Sequence, residues 1–505
     1  MTAATTHPLM TTQMSPVTTH DLEHAALPRI IQGGMGVAVS NWQLANAVAR
    51  AGQMGVVSGS MLDTVFVRRL QDGDPGGHMR RAIAHFPIPG VGDEVLRRYF
   101  REGGRPEGAP YRLLPMYKQT VSIARQRVTV LANFVEVWLA KEGHAGAVGI
   151  NLLTKVQMPN LAPLYGAMLA SVDYVIMGAG IPREIPGALD ALALHDVARL
   201  RFEIEGAARD DVTYLTFDPR EHWQSASSDA PAPLQRPRFI AVISAVSLAM
   251  TLARKATGHV DGFIVEGPTA GGHNAPPRGE LQLNERGEPV YGERDVVDLD
   301  KMREISLPFW IAGGVGSPDG LRSALAAGAA GIQVGTLFAY CDESGLEPVL
   351  KARVLDAVAT GEASLVTDPR ASPTGYPFKV VEVEGDRERV TRRKRVCDLG
   401  YLRVPVRSAS GTIVYRCSAE PVDAYVAKGG DIADTEGRRC LCNGLTSTIG
   451  QAMPRIEGDE PALVTSGDDL LALDRILERM LGRMLGRTTG DRRYSAKQVI
   501  GYLCA

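Results

Sequence analysis

From residue 29 onward, short apolar runs alternate with stretches of helical spacing. Residues 29–32 (RIIQ) form an apolar run that stops at Gly33-Gly34, residues 41–51 (NWQLANAVARA) have helical spacing with Ser40 as the N-cap, and residues 54–58 (MGVVS) read as a second strand. The alternation resumes with strands at 146–152 (GAVGINL), 172–177 (VDYVIM), 238–243 (RFIAVI), 260–265 (VDGFIV), 308–312 (PFWIA) and 330–334 (AGIQV). Helical patterns over 161–170, 183–194, 246–257, 318–327 and 347–360 lie between or after them. The strands are continuous apolar runs, as required when both faces of a parallel sheet are buried. Eight strands, mostly followed by helices, predict an α/β chain with a (β/α)8 TIM barrel. A doubly wound open sheet is the alternative, but its first turn would usually carry G-x-G-x-x-G, which GGMGVAV does not match.

Three stretches interrupt this rhythm. Residues 61–142 are a long helical insertion, broken near Pro87–Gly92 and Gly103–Pro110. Residues 199–217 read as two strands joined by a polar turn, and residues 224–237 as a Ser/Ala/Pro linker. Beyond Gly361 the texture changes: residues 376–417 are strand-rich and charged, RRKR at 392–395 reads as a charged strand face, and 464–488 as an amphipathic helix with a Met/Leu packing face. The expected division is a disordered tail at 1–27, a barrel at 28–380 with the insertion at about 61–142, and a C-terminal extension at 381–505.

Composition narrows the class. With 55 Lys+Arg against 57 Asp+Glu there is no electrostatic case for nucleic acid or an anionic membrane surface. Six Cys in 505 residues exclude a disulfide scaffold, and no apolar run is long enough for a transmembrane helix. Residues 1–20 lack Lys, Arg and an apolar stretch, so no secretory signal is expected and a reducing cytoplasmic setting follows. Glycine is enriched, 54 of 505, and much of it falls where the predicted strands end: Gly33-Gly34, Gly178–Gly180, Gly271-Gly272, Gly313–Gly316 and Gly335.

In such a barrel the active site lies at the C-terminal ends of the strands. GGVGSPDG (313–320) and Gly335-Thr336 form backbone N–H nests at the usual phosphate position, suited to flavin mononucleotide (FMN) or a sugar phosphate alike. His273, in the EGPTAGGHNAPP loop after the sixth strand, sits where backbone can approach a flat ligand, and its imidazole can move a proton near neutral pH. Cys397, Cys417, Cys440 and Cys442 could hold zinc or an iron–sulfur cluster, or be ordinary buried thiols, because their spacing matches no standard framework.

The motifs IIQGGMG (30–36), GINLLT (149–154), AGGH (270–273), IAGGVGSPDGLRSALAAGAAGIQVGT (311–336) and TDPRASPTGYPFKV (367–380) resemble the nitronate monooxygenases, formerly 2-nitropropane dioxygenases. They equally resemble the FMN-dependent enoyl reductases of fatty-acid and polyketide synthesis. The resemblance covers about residues 28–60, 146–195 and 238–380. It implies FMN as cofactor, with Gly33, Gly34 and Met35 lining the flavin ring and Asn151 facing it. Gly271 and Gly272 would contact the cofactor, His273 would be the acid/base, and Gly313, Gly314, Gly335 and Thr336 would hold the phosphate. The leading implied reaction is oxidation of an alkyl nitronate with molecular oxygen. The alternative is NAD(P)H-dependent reduction of an enoyl thioester, with an acyl-carrier protein as possible partner; a homo-oligomer is compatible with either. Thr269 replaces the Glu that many relatives carry before AGGH, and SPTGYPF (372–378) looks closer to the enoyl-reductase branch. A flavin-free barrel of the IMP dehydrogenase type would need a nucleophilic Cys, for which only Cys341 is available in the barrel. A non-catalytic, metal-bound assembly protein is the remaining reading.

Overall fold

The computed structural model describes residues 27–208, 210–223, 231–456, 458–485 and 492–505; nearly all of the tail expected at 1–27 and half of the 224–237 linker lie outside them. Ten strands cover the barrel region: β1 (Ile30–Gln32), β2 (Gly55–Ser58), β3 (Val148–Leu153), β4 (Tyr174–Gly178), β5 (Ala198–Phe202), β6 (Thr213–Phe217), β7 (Arg238–Ile243), β8 (Gly262–Glu266), β9 (Phe309–Ala312) and β10 (Gly331–Val334). Eight of them form one all-parallel sheet in the order β1-β10-β9-β8-β7-β4-β3-β2. The ring is closed between its ends by the parallel bridge Ile31–Met54, with Gln32 N–H donating to the Met54 carbonyl at 2.9 Å. This is the (β/α)8 barrel expected from the sequence. Strands β5 and β6 stay outside it as an antiparallel hairpin.

The apolar runs are apolar on both faces for the reason inferred. Inward residues Ile31, Val56, Ile176, Ile240, Ile264 and Trp310 fill the barrel, while their neighbours face the surrounding helices. Trp310 is fully buried and its indole N–H is satisfied by the Pro28 carbonyl at 2.8 Å. Burying apolar surface of this extent is what closes the ring.

The insertion holds helices at Leu62–Gln71, His78–Ile83, Val91–Tyr99 and Ile123–Lys141. The last packs on the barrel helices Trp42–Arg50 and Leu161–Leu169. Asn41, rather than Ser40, caps the helix at Trp42, accepting from Leu44 N–H. Ser40 is buried instead under the first glycine turn, where its hydroxyl accepts from Met35 N–H at 2.9 Å and donates to the Gly33 carbonyl at 2.8 Å.

After the barrel, β11 (Ser364–Asp368) pairs antiparallel with β12 (Phe378–Glu382), and β13 (Val404–Arg407) with β14 (Ile413–Arg416). RRKR at 392–395 is not a strand face: Arg392 ends a short helix (Asp386–Arg392). Arg393 pairs with Glu460 at 2.8 Å, and Arg395 donates to the Thr435 carbonyl at 2.7 Å. The helix expected over 464–488 starts later, with a 3-10 turn at Asp468–Ala472 and an α-helix at Leu473–Leu485. Residues 464–467 are claimed by tertiary hydrogen bonds: Val381 N–H donates to the Val464 carbonyl, and Gly467 N–H to the Thr336 hydroxyl, both at 2.9 Å. Leu473 and Leu477 are buried within the chain. Among the described residues no helix is long and apolar enough to cross a membrane.

Candidate active site

Two contiguous cavities open at the C-terminal ends of the barrel strands. The first, a cleft of about 140 Å³, is lined by Gly33, Gly34, Met35, Gly313, Gly314, Gly335 and Thr336 among others. The second, of about 170 Å³, is lined by Asn151 and His273 together with apolar side chains. They meet at Gly34, Glu266, Gly271, Gly272 and Gln333. The structure thus brings His273, Asn151, Met35, Thr336 and the glycines 33, 34, 271, 272, 313, 314 and 335 around one continuous space.

The cleft is made of bare backbone, and the glycines are needed there. Gly313 and Gly314 have φ of +94° and +67°, and a Cβ on Gly313 would stand 2.8 Å from the Thr269 hydroxyl and 2.9 Å from the Ala270 nitrogen. At Gly34 a Cβ would meet the Asn151 Cβ at 2.3 Å, so only glycine lets the first turn lie against Asn151. Ser317 caps the helix at Pro318–Ala326 beside the cleft, accepting from Gly320 N–H.

The C-terminal extension completes the cleft, which the sequence did not reveal. Residues 465–469 return to the barrel mouth: the Thr465 hydroxyl accepts from Gly272 N–H at 2.7 Å, and Asp468 N–H donates to the Thr269 carbonyl at 3.0 Å. Asp469 accepts from Gly316 N–H at 3.3 Å, and burial raises its carboxyl above the ordinary range.

His273 is held from several sides. Its Nε2 is 2.7 Å from the Ser372 hydroxyl, its ring packs edge-to-face on Phe378 at 4.8 Å, and its backbone bridges to Phe378. Burial pushes the imidazole down to about 4, so it is neutral at pH 7. Glu266, at the end of β8, shows the opposite effect: burial lifts its carboxyl to about 7. Two proton carriers of different kind therefore face one cavity. Gln333 Oε1 is buried without a hydrogen-bond partner where the two cavities meet, an acceptor placed for a donor that the protein does not supply. Glu266 carries no sequence signal of its own, since a lone acidic residue directly after the apolar run VDGFIV reads as a solvated strand end. Gln333 was visible as the one polar residue in the apolar run AGIQV.

The roof of the larger cavity is apolar and comes from outside the barrel. Tyr401, Leu402, Leu441, Cys442 and Leu445 of the extension face Met61, Leu153 and Val156. The roof is anchored by a buried network in which Tyr401 donates to Asp63 at 2.5 Å and Asp63 pairs with Arg125 at 2.7 Å. Burial alone would raise the Asp63 carboxyl, but the Arg125 guanidinium and three hydrogen bonds hold it below its ordinary value. Insertion and extension therefore lock together above the barrel mouth.

Cys341 is no nucleophile of this site. It is fully buried, donates to the Phe338 carbonyl at 3.1 Å, and burial pushes its thiol well up. Cys397, Cys417, Cys440 and Cys442, spread over 46 positions, line one small separate cavity. Among the described residues no group of three or more His, Cys, Asp or Glu side chains is placed, as it stands, to hold a metal ion.

Residues 224–371 match the family model for nitronate monooxygenase. The chain is 35% identical over 98 residues to a probable nitronate monooxygenase of Bacillus subtilis (19% of this chain, 26% of the relative). It is 34% identical over 120 residues to the nitronate monooxygenase of Pseudomonas aeruginosa (24% and 32%). The aligned stretches thus span only about a quarter to a third of those relatives. Among solved structures, a FabK mutant from Thermotoga maritima matches with a TM-score of 0.43 and 17% identity, over 97% of this chain and 95% of that one. The nitroalkane oxidase of Streptomyces ansochromogenes matches with 0.43 and 14%, over 94% of each. The resemblance to the nitronate monooxygenase family read from the motifs is borne out, over the second half of the barrel, by residues 224–371.

Proposed function

We propose that the chain is an FMN-dependent oxidoreductase that reduces an enoyl thioester at the expense of NAD(P)H. The observation that carries the choice of substrate is the cavity above His273, roofed by Leu402, Leu441 and Leu445 and floored by Leu153, Val156 and Val242. An apolar channel of this kind suits an acyl chain better than a small polar nitronate.

The residues present fit the cofactor. The glycine nests at Gly313-Gly314 and Gly335-Thr336 would take its phosphate, Gly33-Gly34 and Met35 would lie along the ring, and the unpaired Gln333 oxygen offers an acceptor to a ring N–H. Bound there, FMN supplies the relay for a hydride between the nicotinamide and the substrate carbon. The chain's part is to place and protonate. The apolar roof excludes water and aligns the acyl chain, while Glu266, about half protonated near neutral pH, is the donor suited to the carbon next to the thioester carbonyl. His273, neutral and fixed by Ser372, orients the carbonyl and is available as a base in the reverse sense.

A second reading, oxidation of an alkyl nitronate with molecular oxygen, is favoured by the match of residues 224–371 and by the names of the curated relatives. In it His273 handles the substrate proton. Anaerobic mixing of the flavin-loaded protein separates the two. Rapid bleaching of the flavin by NADPH or NADH, and its return on adding a long-chain enoyl thioester, is the expected result. Bleaching by an alkyl nitronate alone would replace the proposal with the second reading.

A further inference from the structure

We infer that Cys397, Cys417, Cys440 and Cys442 form a structural zinc site that staples the C-terminal extension and holds the roof over the candidate active site. The four thiols come from separate places in the chain. Cys397 lies in the loop before β13, Cys417 directly follows β14, Cys440 caps the helix Leu441–Thr448, and Cys442 lies in its first turn. A fold has no general reason to bring four of its six cysteines to one cavity, yet all four line the same space of about 10 Å³. That is room for a single ion and too little for a multi-iron cluster.

Hydrogen-bond donors face the sulfurs. Backbone N–H groups are directed at three of them: Ala419 at Cys417, Asn443 at Cys440 and Leu402 at Cys442. The Asn443 side-chain amide adds a contact to Cys440 Sγ at 3.7 Å and is itself held by Asp398 at 2.8 Å. A neutral thiol is a weak acceptor and gains little from such donors, whereas a metal-bound thiolate gains a great deal. Arg403 lines the same cavity and places a cation beside what would be a doubly negative tetrathiolate centre. A zinc ion would displace four protons to solvent and draw the sulfurs onto itself, with four Zn–S bonds replacing four S–H bonds and no change of oxidation state.

The extension also needs such a staple. Its hairpin strands β13 and β14 have four residues each, and its apolar clusters are small and include Cys440 and Cys442 themselves. Cys442 touches both the thiol cavity and the larger cavity, and Leu402 and Leu441 do the same, so the metal would set the position of the roof.

The test is elemental analysis of the full chain together with the spectrum of the protein grown on cobalt(II). The expected result is about one zinc per chain, retained through gel filtration, with thiolate-to-metal charge-transfer absorption in the cobalt form. A Cys397→Ser/Cys417→Ser variant should lose the metal and the absorption, and a Cys341→Ser/Cys504→Ser variant should keep both. If the first variant does not fold, the metal count and the cobalt spectrum of the unaltered chain still decide. A folded, metal-free chain whose cysteines all react as free thiols after unfolding would overturn the inference. So would iron with acid-labile sulfide in place of zinc, or cobalt bands that survive loss of Cys397 and Cys417.

Discussion

The two cavities that meet at Glu266 and Gln333 are built by opposite means. The cleft side is mostly backbone: left-handed glycines, a capped helix start and the hydroxyls of Thr269 after β8 and Thr336 after β10. The roofed side is side chain, supplied by two segments that are not part of the barrel and that hold each other through Asp63, Arg125 and Tyr401. Backbone construction tolerates little change and serves a constant ligand. Side-chain construction can be refitted residue by residue and serves whatever distinguishes one substrate from another.

The contrast makes distinct demands on experiment. The largest effect belongs to the shared boundary: Glu266→Gln should lower kcat by roughly 10²–10⁴-fold while the protein stays yellow, measured by turnover against flavin content. Next is the anchor of the roof. Asp63→Ala leaves the Arg125 charge buried without its partner, and urea unfolding should show a loss of about 3–5 kcal/mol. On the cleft side, Gly313→Ala forces a Cβ into a left-handed turn against Thr269 and Ala270, costing about 1–2 kcal/mol in strain, and flavin retention on dialysis should drop sharply with the roof intact. Conversely, Leu402→Ala should leave flavin retention unchanged. It should raise KM for long-chain thioesters by roughly tenfold, the scale of a small pocket change, and barely affect short ones.

The smallest effect is a pH dependence. The Glu266 carboxyl titrates near 7 in the folded chain against an ordinary 4.5. Below the lower value both states hold the proton and the group is neutral towards stability. As pH rises from the lower value to the higher, the unfolded chain releases its proton first and folding is progressively disfavoured, with no further change above. Glu266→Gln should therefore raise Tm by on the order of a few °C at pH 8 and by much less in acid. Equal gains at both pH values would remove Glu266 as a proton holder.

The same contrast explains what could be read from the chain. Barrel strands were legible because burial on both faces leaves unbroken apolar runs such as RFIAVI and VDGFIV. The cleft was legible because close backbone approach leaves glycines at strand ends. The roof was not, since Tyr401, Leu402 and Leu445 are isolated apolar residues whose meaning depends on where the extension folds back. Thr465–Asp469 was hidden for a related reason: a helix-like composition at 464–488 loses its first residues to hydrogen bonds with Thr336, Thr269 and β12. The start of the helix at Trp42 moved by one residue because Ser40 is spent on the Gly33 turn. Four cysteines could be counted, but their convergence depends on a hairpin and a helix start that no spacing rule connects.

The return of residues 465–469 to the barrel mouth has a consequence for how the protein is made. All eight barrel strands have been synthesised once Val334 is added, yet the wall formed by Thr465, Ser466, Gly467 and Asp469 follows more than a hundred residues later. A barrel built only of residues up to Val334 therefore has an open-sided mouth, and the cleft gains its last wall only when Thr465–Asp469 fold back on it. Truncation before this segment would remove that wall together with Leu470, Leu473, Val499 and Leu503, which pack in the same core as the barrel, so cleft and core draw on the same late residues.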